Sequence, residues 1–244
     1  MPEPTVRLSP EQIESYHENG FLSLDRITTD EEIEALLDVY DRLFTTETSQ
    51  EERKELAELD EEGNETLPQV LAPRELAPEL LETEYYENAT AIAKQLLGEE
   101  AEFSGDHAIR KPARSGAETP WHQDEAYWDP GLEYESLSFW MPFQEATVEN
   151  GCMQFVPGSH DNEVLPHHRL GGDAEGLEVD DVDAHVEDAV ACELPPGGAT
   201  VHSSRTLHYT GPNRTDQPRR AYVLTFGVPP REREVPRDFY WQKE

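Results

Sequence analysis

Cysteine, lysine and long apolar runs are all scarce in this chain, and each scarcity removes a class of protein. Only Cys152 and Cys192 occur in 244 residues. They lack the close spacing of a thiolate metal site or a redox pair, so neither a disulfide scaffold nor a zinc ribbon is indicated, and a reducing compartment fits. Lysine stands only at Lys54, Lys94, Lys111 and Lys243, and 19 basic residues face 53 acidic ones, a net charge of -34. A surface of that sign repels nucleic acid and anionic membranes. No apolar run is long enough to span a bilayer, and the opening MPEPTVRLSPEQ has no basic segment followed by an apolar one. The expectation is a soluble, cytoplasmic protein with neither a membrane nor a nucleic-acid partner.

What is present is enough to fold. The hydrophobic share of 36% is low, yet those residues gather into runs with helical or strand period. The length suits one domain over 1–244, with a mostly helical flank (1–100), a β core (101–232) and a short tail (233–244). Ser9, Pro10 and Gln12 read as a helix start and Gly20 as its end, with a short strand over Phe21–Leu24. Thr29 opens a second helix carrying Ile33, Leu36, Leu37, Tyr40 and Leu43 at helical spacing, and a third runs from about Pro78 to Leu97. Between the latter two, Thr46 to Thr66 is so acidic that an exposed helix or mobile insertion is expected.

Beyond Glu102 the pattern changes to short segments punctuated by Gly, Pro and Asn, among them LSFWMPFQEA, GCMQFVPGSH, GATVHSSRTLHYT and RRAYVLTFGV. Such spacing predicts a β-sandwich or barrel of the jelly-roll kind. The acidic stretch from Gly171 to Asp188 reads as a loop, either a lid or a plain connection.

The chemistry centres on Trp121-His122-Gln123-Asp124. On a strand, His122 and Asp124 project from one face and Gln123 from the other, so an imidazole and a carboxylate converge. A second imidazole would complete a facial metal triad. Two histidines downstream compete for that place. His208 precedes the Gly211-Pro212-Asn213 turn, whereas His202 lies six residues earlier with the same strand parity. The residues from Gly211 to Pro218 are expected to fold the His208 strand back on the strand opened by Arg219 and Arg220. Alternation puts Arg219 with Ala221, Val223 and Thr225, and Arg220 with Tyr222, Leu224 and Phe226. A cavity needs the smaller set, so Arg219 is assigned to the lumen.

These segments carry a resemblance to a known family. The opening helix-Gly-Phe-Leu, Arg110-Lys111-Pro112, Trp121-His122-Gln123-Asp124, Asn150-Gly151-Cys152, Pro157-Gly158-Ser159-His160 and His208 to Asn213 with Arg219 occur in the order found in phytanoyl-CoA dioxygenases. The chain resembles that family over nearly its whole length. The resemblance implies a mainly β fold, a double-stranded β-helix (cupin-like jelly roll) core with N-terminal helices. It further implies His122, Asp124 and His208 on Fe(II), with Arg219 on the far carboxylate of 2-oxoglutarate. By position Thr210, Trp140 and His107 match residues lining the cosubstrate pocket, whereas a lysine that some relatives place upstream has no evident counterpart. The implied reaction consumes O₂ and 2-oxoglutarate, releases succinate and CO₂, and hydroxylates an unactivated C–H bond of a small substrate. Halogenases related to the family replace the carboxylate ligand with a small residue, so Asp124 points to hydroxylation.

Other readings are blander. His160 suits a loop staple, and His17, His167 and His168 a surface. Trp140 fits a packed core as well as a pocket wall, and Arg110 and Arg114 fit surface ion pairs. A cupin-like Zn or Mn enzyme without 2-oxoglutarate would keep the triad but have no need of Arg219, and a binding protein on the same scaffold would be expected to have lost a ligand.

The acid surplus reads either as a face that recruits a basic partner or, the reading preferred, as adaptation to concentrated cytoplasmic salt. At 1 M salt the Debye length is about 3 Å, and the carboxylates hardly repel each other. In dilute buffer their repulsion loosens the compact state. The thermal midpoint is therefore expected to rise from low to molar KCl; a flat profile would contradict the adaptation.

Overall fold

The computed structural model describes residues 3–44, 67–170 and 176–243. The acidic stretch expected as a helix or insertion, Thr46 to Thr66, lies outside them, as do residues 171–175.

Helix α1 (Pro10–Asn19) starts with a reciprocal cap, the Ser9 hydroxyl accepting the Gln12 N–H and the Gln12 side chain accepting the Ser9 N–H at 2.9 Å. Gly20, at φ 80°, ends it in the left-handed region that glycine enters freely. Strand β1 (Phe21–Leu24) follows, then α2 (Asp30–Leu43), capped by Thr29 and burying Ile33, Leu36, Tyr40 and Leu43. The segment expected as a third helix divides in two. Pro78–Leu81 is a 3-10 turn, and α3 (Glu84–Leu97) begins only after Thr83, whose hydroxyl accepts the Tyr86 N–H. The cap decides the boundary: Glu32 of α2 also reaches over to accept the Glu84 and Tyr85 N–H groups at 2.6 and 2.9 Å.

The remaining strands are β2 (Gln69–Leu71), β3 (Glu102–Lys111), β4 (Thr119–His122), β5 (Leu132–Glu133), β6 (Ser136–Pro142), β7 (Met153–Phe155) and β8 (His167–Arg169). They continue with β9 (Leu177–Val179), β10 (Val190–Cys192), β11 (Ala199–Ser203), β12 (His208–Thr210), β13 (Arg219–Gly227) and β14 (Arg231–Glu232). A six-stranded sheet in the order β1-β11-β6-β13-β3-β2 faces a four-stranded sheet, β10-β7-β12-β4, with antiparallel pairing throughout. This is the jelly-roll sandwich that the strand pattern predicts.

Register sorts the six-stranded sheet into two chemistries. Directly paired residues share a face. Phe21, His202, Ser138, Thr225 and Gly105 form one row across it, Thr200, Trp140, Val223 and His107 the next, and Arg219 opposite Lys111 a third. That face looks into the sandwich. Trp140, Ala221 and Val223 meet Met153, Phe155 and Cys192 of the other sheet there. The opposite face carries Val201, Phe139, Leu224 and Tyr222, which pack with Tyr40, Tyr85 and Ile92 of the helices. Ala89 and Ala93, both fully buried, let α3 lie close to the sheet.

Two sequence expectations fail in the connections. The Gly211–Pro218 segment does not fold β12 onto β13; it crosses from one sheet to the other, because β12 is already flanked by β7 and β4. The acidic Gly171–Asp188 stretch is not all loop, since β9 forms a hairpin with β8. Among the described residues no helix is long and apolar enough to cross a membrane.

Gly151 marks a close approach. Its φ is 88°, and a Cβ there would lie 2.4 Å from the Gly211 carbonyl oxygen. Gly151→Ala is expected to destabilise the fold by about 2 kcal/mol or more. Gly105→Ala, where a Cβ meets nothing within 4 Å, should cost less than about 1 kcal/mol. Urea denaturation of both variants in molar KCl checks the contrast.

Candidate active site

Three side chains with metal-binding chemistry meet at the mouth of the sandwich. His122 ends β4 and His208 begins β12, and the two are directly paired, so their rings lie 4.2 Å apart on the inner face. Asp124 comes from a different local structure than expected. The strand stops at His122, and Asp124 opens a 3-10 turn, Asp124–Tyr127. Gln123 nevertheless keeps extended torsions (φ -116°, ψ 130°), so the alternation carries through and Asp124 turns to the same side as His122. Its Oδ1 lies 3.5 Å from Nε2 of His122 and 3.5 Å from Nε2 of His208. One ligand atom from each of the three falls within 4.8 Å of the others.

Each ring is locked by its far nitrogen. Nδ1 of His122 donates to the Pro120 carbonyl at 2.8 Å, and Nδ1 of His208 to the Thr206 carbonyl at 2.8 Å. A carbonyl can only accept, so both rings carry a proton on Nδ1 and turn Nε2 to the centre. The second Asp124 oxygen is occupied elsewhere, with the Ser138 hydroxyl at 3.4 Å and His202 Nε2 at 3.6 Å. His202, the rival for the second imidazole, thus stands behind the carboxylate, while His208 stands beside His122.

Charge follows burial. Desolvation holds the pKa of His208 well below its usual range, and neighbouring His122 acts in the same direction. Burial alone would raise the Asp124 carboxyl, but His208, His122 and His202 outweigh it and hold it well below the ordinary value. A neutral imidazole beside an ionised carboxylate is the protonation state that a divalent cation requires.

A second group lies deeper, between the sheets. Arg219 is 1% exposed, and its Nε and one terminal nitrogen find no hydrogen-bond partner among the described residues. Its guanidinium stands 5.1 Å from the centre of the Trp140 ring. Lys111, opposite it on β3, is completely buried and donates to the Thr210 carbonyl and hydroxyl at 2.8 Å and to the Gly211 carbonyl at 2.5 Å. Burial and the adjacent Arg219 charge pull its pKa down to about 6. The Thr210 hydroxyl also donates to Thr119 at 3.0 Å, so its proton is already engaged. His107 lies on the inner face beside Val223, its pKa lowered by burial against the pull of Asp124 and Asp106.

Lys111 is a buried neighbour of Arg219 that sequence reasoning did not single out, yet a signal was present, since Lys111 shares strand parity with His107. Ser138 likewise shares parity with Trp140. His167 corrects a surface assignment: it is fully buried, with Nδ1 donating to the Leu165 carbonyl at 2.7 Å. A His-His-Arg run gives no local hint of that. His160 bonds the His17 carbonyl at 3.1 Å, and Arg114 pairs with Asp216 on the surface.

Comparison with known proteins falls in one direction. Residues 16–221 match the sequence profile of the family described as phytanoyl-CoA dioxygenase (PhyH). The crystal structure of EvdO2 from Micromonospora carbonacea var. aurantiaca, complexed with 2-oxoglutarate, superposes with a TM-score of 0.85 at 41% identity, covering 98% of this chain and 99% of that one. A phytanoyl-CoA dioxygenase domain-containing protein 1 homolog of Dictyostelium discoideum is 25% identical over 91% of this chain and 92% of its own length. The ectoine dioxygenase of Bordetella bronchiseptica is 31% identical over 63% of this chain and 50% of its own length.

The buried His167 makes stability depend on pH. Desolvation lowers its pKa to about 4, against about 6.5 in the unfolded chain. Between those values the unfolded chain takes up a proton that the folded ring refuses, so stability falls as pH falls. The loss reaches about 3 kcal/mol at pH 4. Urea denaturation of the metal-free protein at pH 7 and pH 4 should show wild type losing about that much more than His167→Gln; equal losses would contradict it.

Proposed function

This chain belongs to the phytanoyl-CoA dioxygenase family of Fe(II)- and 2-oxoglutarate-dependent oxygenases, and from that membership and the site geometry we propose how its residues divide the work. His122, Asp124 and His208 would hold the iron, Arg219 would take the far carboxylate of 2-oxoglutarate, and the substrate is a small organic molecule hydroxylated at an unactivated C–H bond. Residues 1–244 act as one domain in this reading.

The donor set fits the metal. Two neutral imidazoles and one carboxylate on one side of an ion suit Fe(II) and leave adjacent positions for other ligands. The observation that carries the cosubstrate is Arg219, a buried guanidinium with two nitrogens lacking hydrogen-bond partners among the described residues. Such groups are nearly always satisfied in a folded protein, and a fork of N–H donors matches a carboxylate. A Zn or Mn enzyme without a 2-oxo acid would have no use for it.

When bound, iron with 2-oxoglutarate and O₂ supplies the oxidising equivalents, the 2-oxo acid leaving as succinate and CO₂. The protein's own contribution is placement. The carbonyls of Pro120 and Thr206 aim the two imidazoles, and Ser138 holds the idle oxygen of Asp124. Trp140, its ring centre 5.1 Å from the Arg219 guanidinium, would help to hold that group in place. Lys111, through its hydrogen bonds to Thr210 and Gly211, ties the end of β12 to the opposite sheet. His107 lines the same face. The apolar wall of Met153, Phe155 and Val223 keeps bulk water from the reacting end.

Anaerobic Fe(II) with 2-oxoglutarate should produce a weak visible charge-transfer band in the wild type and none in Asp124→Ala. Arg219→Leu should weaken 2-oxoglutarate binding by about 30-fold or more, the worth of roughly 2 kcal/mol of charged hydrogen bonding. A succinate-release screen in molar KCl then identifies substrates. Equal turnover in wild type and Asp124→Ala would overturn the assignment.

A further inference from the structure

The segment joining His122 to Asp124 is anchored from behind. Gln123 is fully buried and points away from the ligands. Its side-chain oxygen accepts the Leu165 N–H at 2.8 Å, and its amide donates to the Arg205 carbonyl at 2.6 Å. Its backbone N–H lies just past the end of β4, where no strand partner is available. His167 takes it instead, with Nε2 at 3.3 Å. Because Nδ1 of His167 donates to the Leu165 carbonyl, the ring is in the tautomer whose Nε2 can only accept.

The C-terminal segment closes over this arrangement. The Trp241 ring lies 5.4 Å from the His167 ring, and its Nε1 donates to the Ala126 carbonyl at 3.0 Å. Gln242 donates to the Ala126 and Trp128 carbonyls at 2.9 Å, and Arg237 pairs with the fully buried Glu125 at 2.6 Å. All three tail residues therefore hold the 3-10 turn that Asp124 opens.

We propose that His167 is a positioning residue for the metal centre, fixing the peptide between His122 and Asp124, and that Trp241 locks its ring in place. Two ligands separated by one residue are spaced by only a few backbone torsions. Anchoring both the N–H and the side chain of Gln123 sets those torsions before any metal arrives, so less conformational freedom is lost on binding. A leucine would fill the space of the imidazole without accepting the N–H. A glutamine places a carbonyl oxygen near the position of Nε2 and keeps the acceptor.

The inference rests on the assignment of His122 and Asp124 as ligands, and the test separates the two. Mn(II) binding to the full-length apo protein is followed by electron paramagnetic resonance in molar KCl, which screens the acidic surface. Expected is a loss of 10- to 100-fold for His167→Leu, the range typical when a partner supporting a metal ligand is removed. His167→Gln should stay within about 3-fold of wild type, and Trp241→Leu should fall between the two. Circular dichroism and the apo thermal midpoint establish that the variants are folded. Near-wild-type affinity in folded His167→Leu, or equal weakness in the Gln variant, overturns the role of the ring. Should the Leu variant not fold, unaltered affinity in Trp241→Leu overturns the lock. Asp124→Ala is measured alongside: if it binds Mn(II) normally, the ligand assignment fails, whereas its loss with intact binding in His167→Leu fails only the positioning role.

Discussion

Holding an ionised carboxylate among imidazoles at the edge of an apolar sandwich costs several kcal/mol unless its surroundings are arranged for it, and much of this fold supplies that arrangement. One oxygen of Asp124 faces His122 and His208, while the other is met by Ser138 and approached by His202. The two imidazoles are held in orientation by main-chain carbonyls two residues before them, a local geometry that an extended strand provides without further help. The backbone leaves its strand between the first and second of these groups. Side chains from distant parts of the chain then take over the hydrogen bonds that a strand neighbour would otherwise make.

Sheet parity connects this site to stability. Strand β13 offers Arg219, Ala221 and Val223 to the lumen and Tyr222, Leu224 and Phe226 to the helices. Each large side chain buried on the helical side contributes about 1.5–3 kcal/mol, so the helical flank stabilises the sheet whose other face is given over to polar chemistry. Asp106 shows the same economy of satisfaction, buried but bonded to Arg74 and to the Tyr222 hydroxyl.

Charge is distributed against the global trend. In a chain of net charge -34, two basic side chains stand opposite each other within the sandwich, Arg219 and a lysine whose pKa burial and that guanidinium pull down to about 6. An anionic cosubstrate approaching so acidic a protein would meet long-range repulsion, and in the proposed arrangement only at short range the attraction of Arg219. Concentrated salt removes the first and leaves the second largely intact, because screening acts on exposed charges far more than on buried ones.

By itself the sequence determined the caps of the first two helices, the strand-rich core, the inward parity of Arg219 and the meeting of His122 with Asp124, all of which depend on neighbours a few residues apart. The strand over Phe21–Leu24 was also legible, and the apolar run LSFWMPF allowed for the burial of Trp140. Tertiary structure alone decided that β12 would cross to the other sheet, that Pro78–Leu97 would break at Thr83, and that His202 would stand behind the carboxylate and His208 beside the first imidazole. It also buried Lys111 and His167, whose sequence neighbourhoods look exposed. These outcomes turn on which edge of a strand is already paired and which distant donor or acceptor fills a vacancy, and neither is encoded in the period of the local pattern.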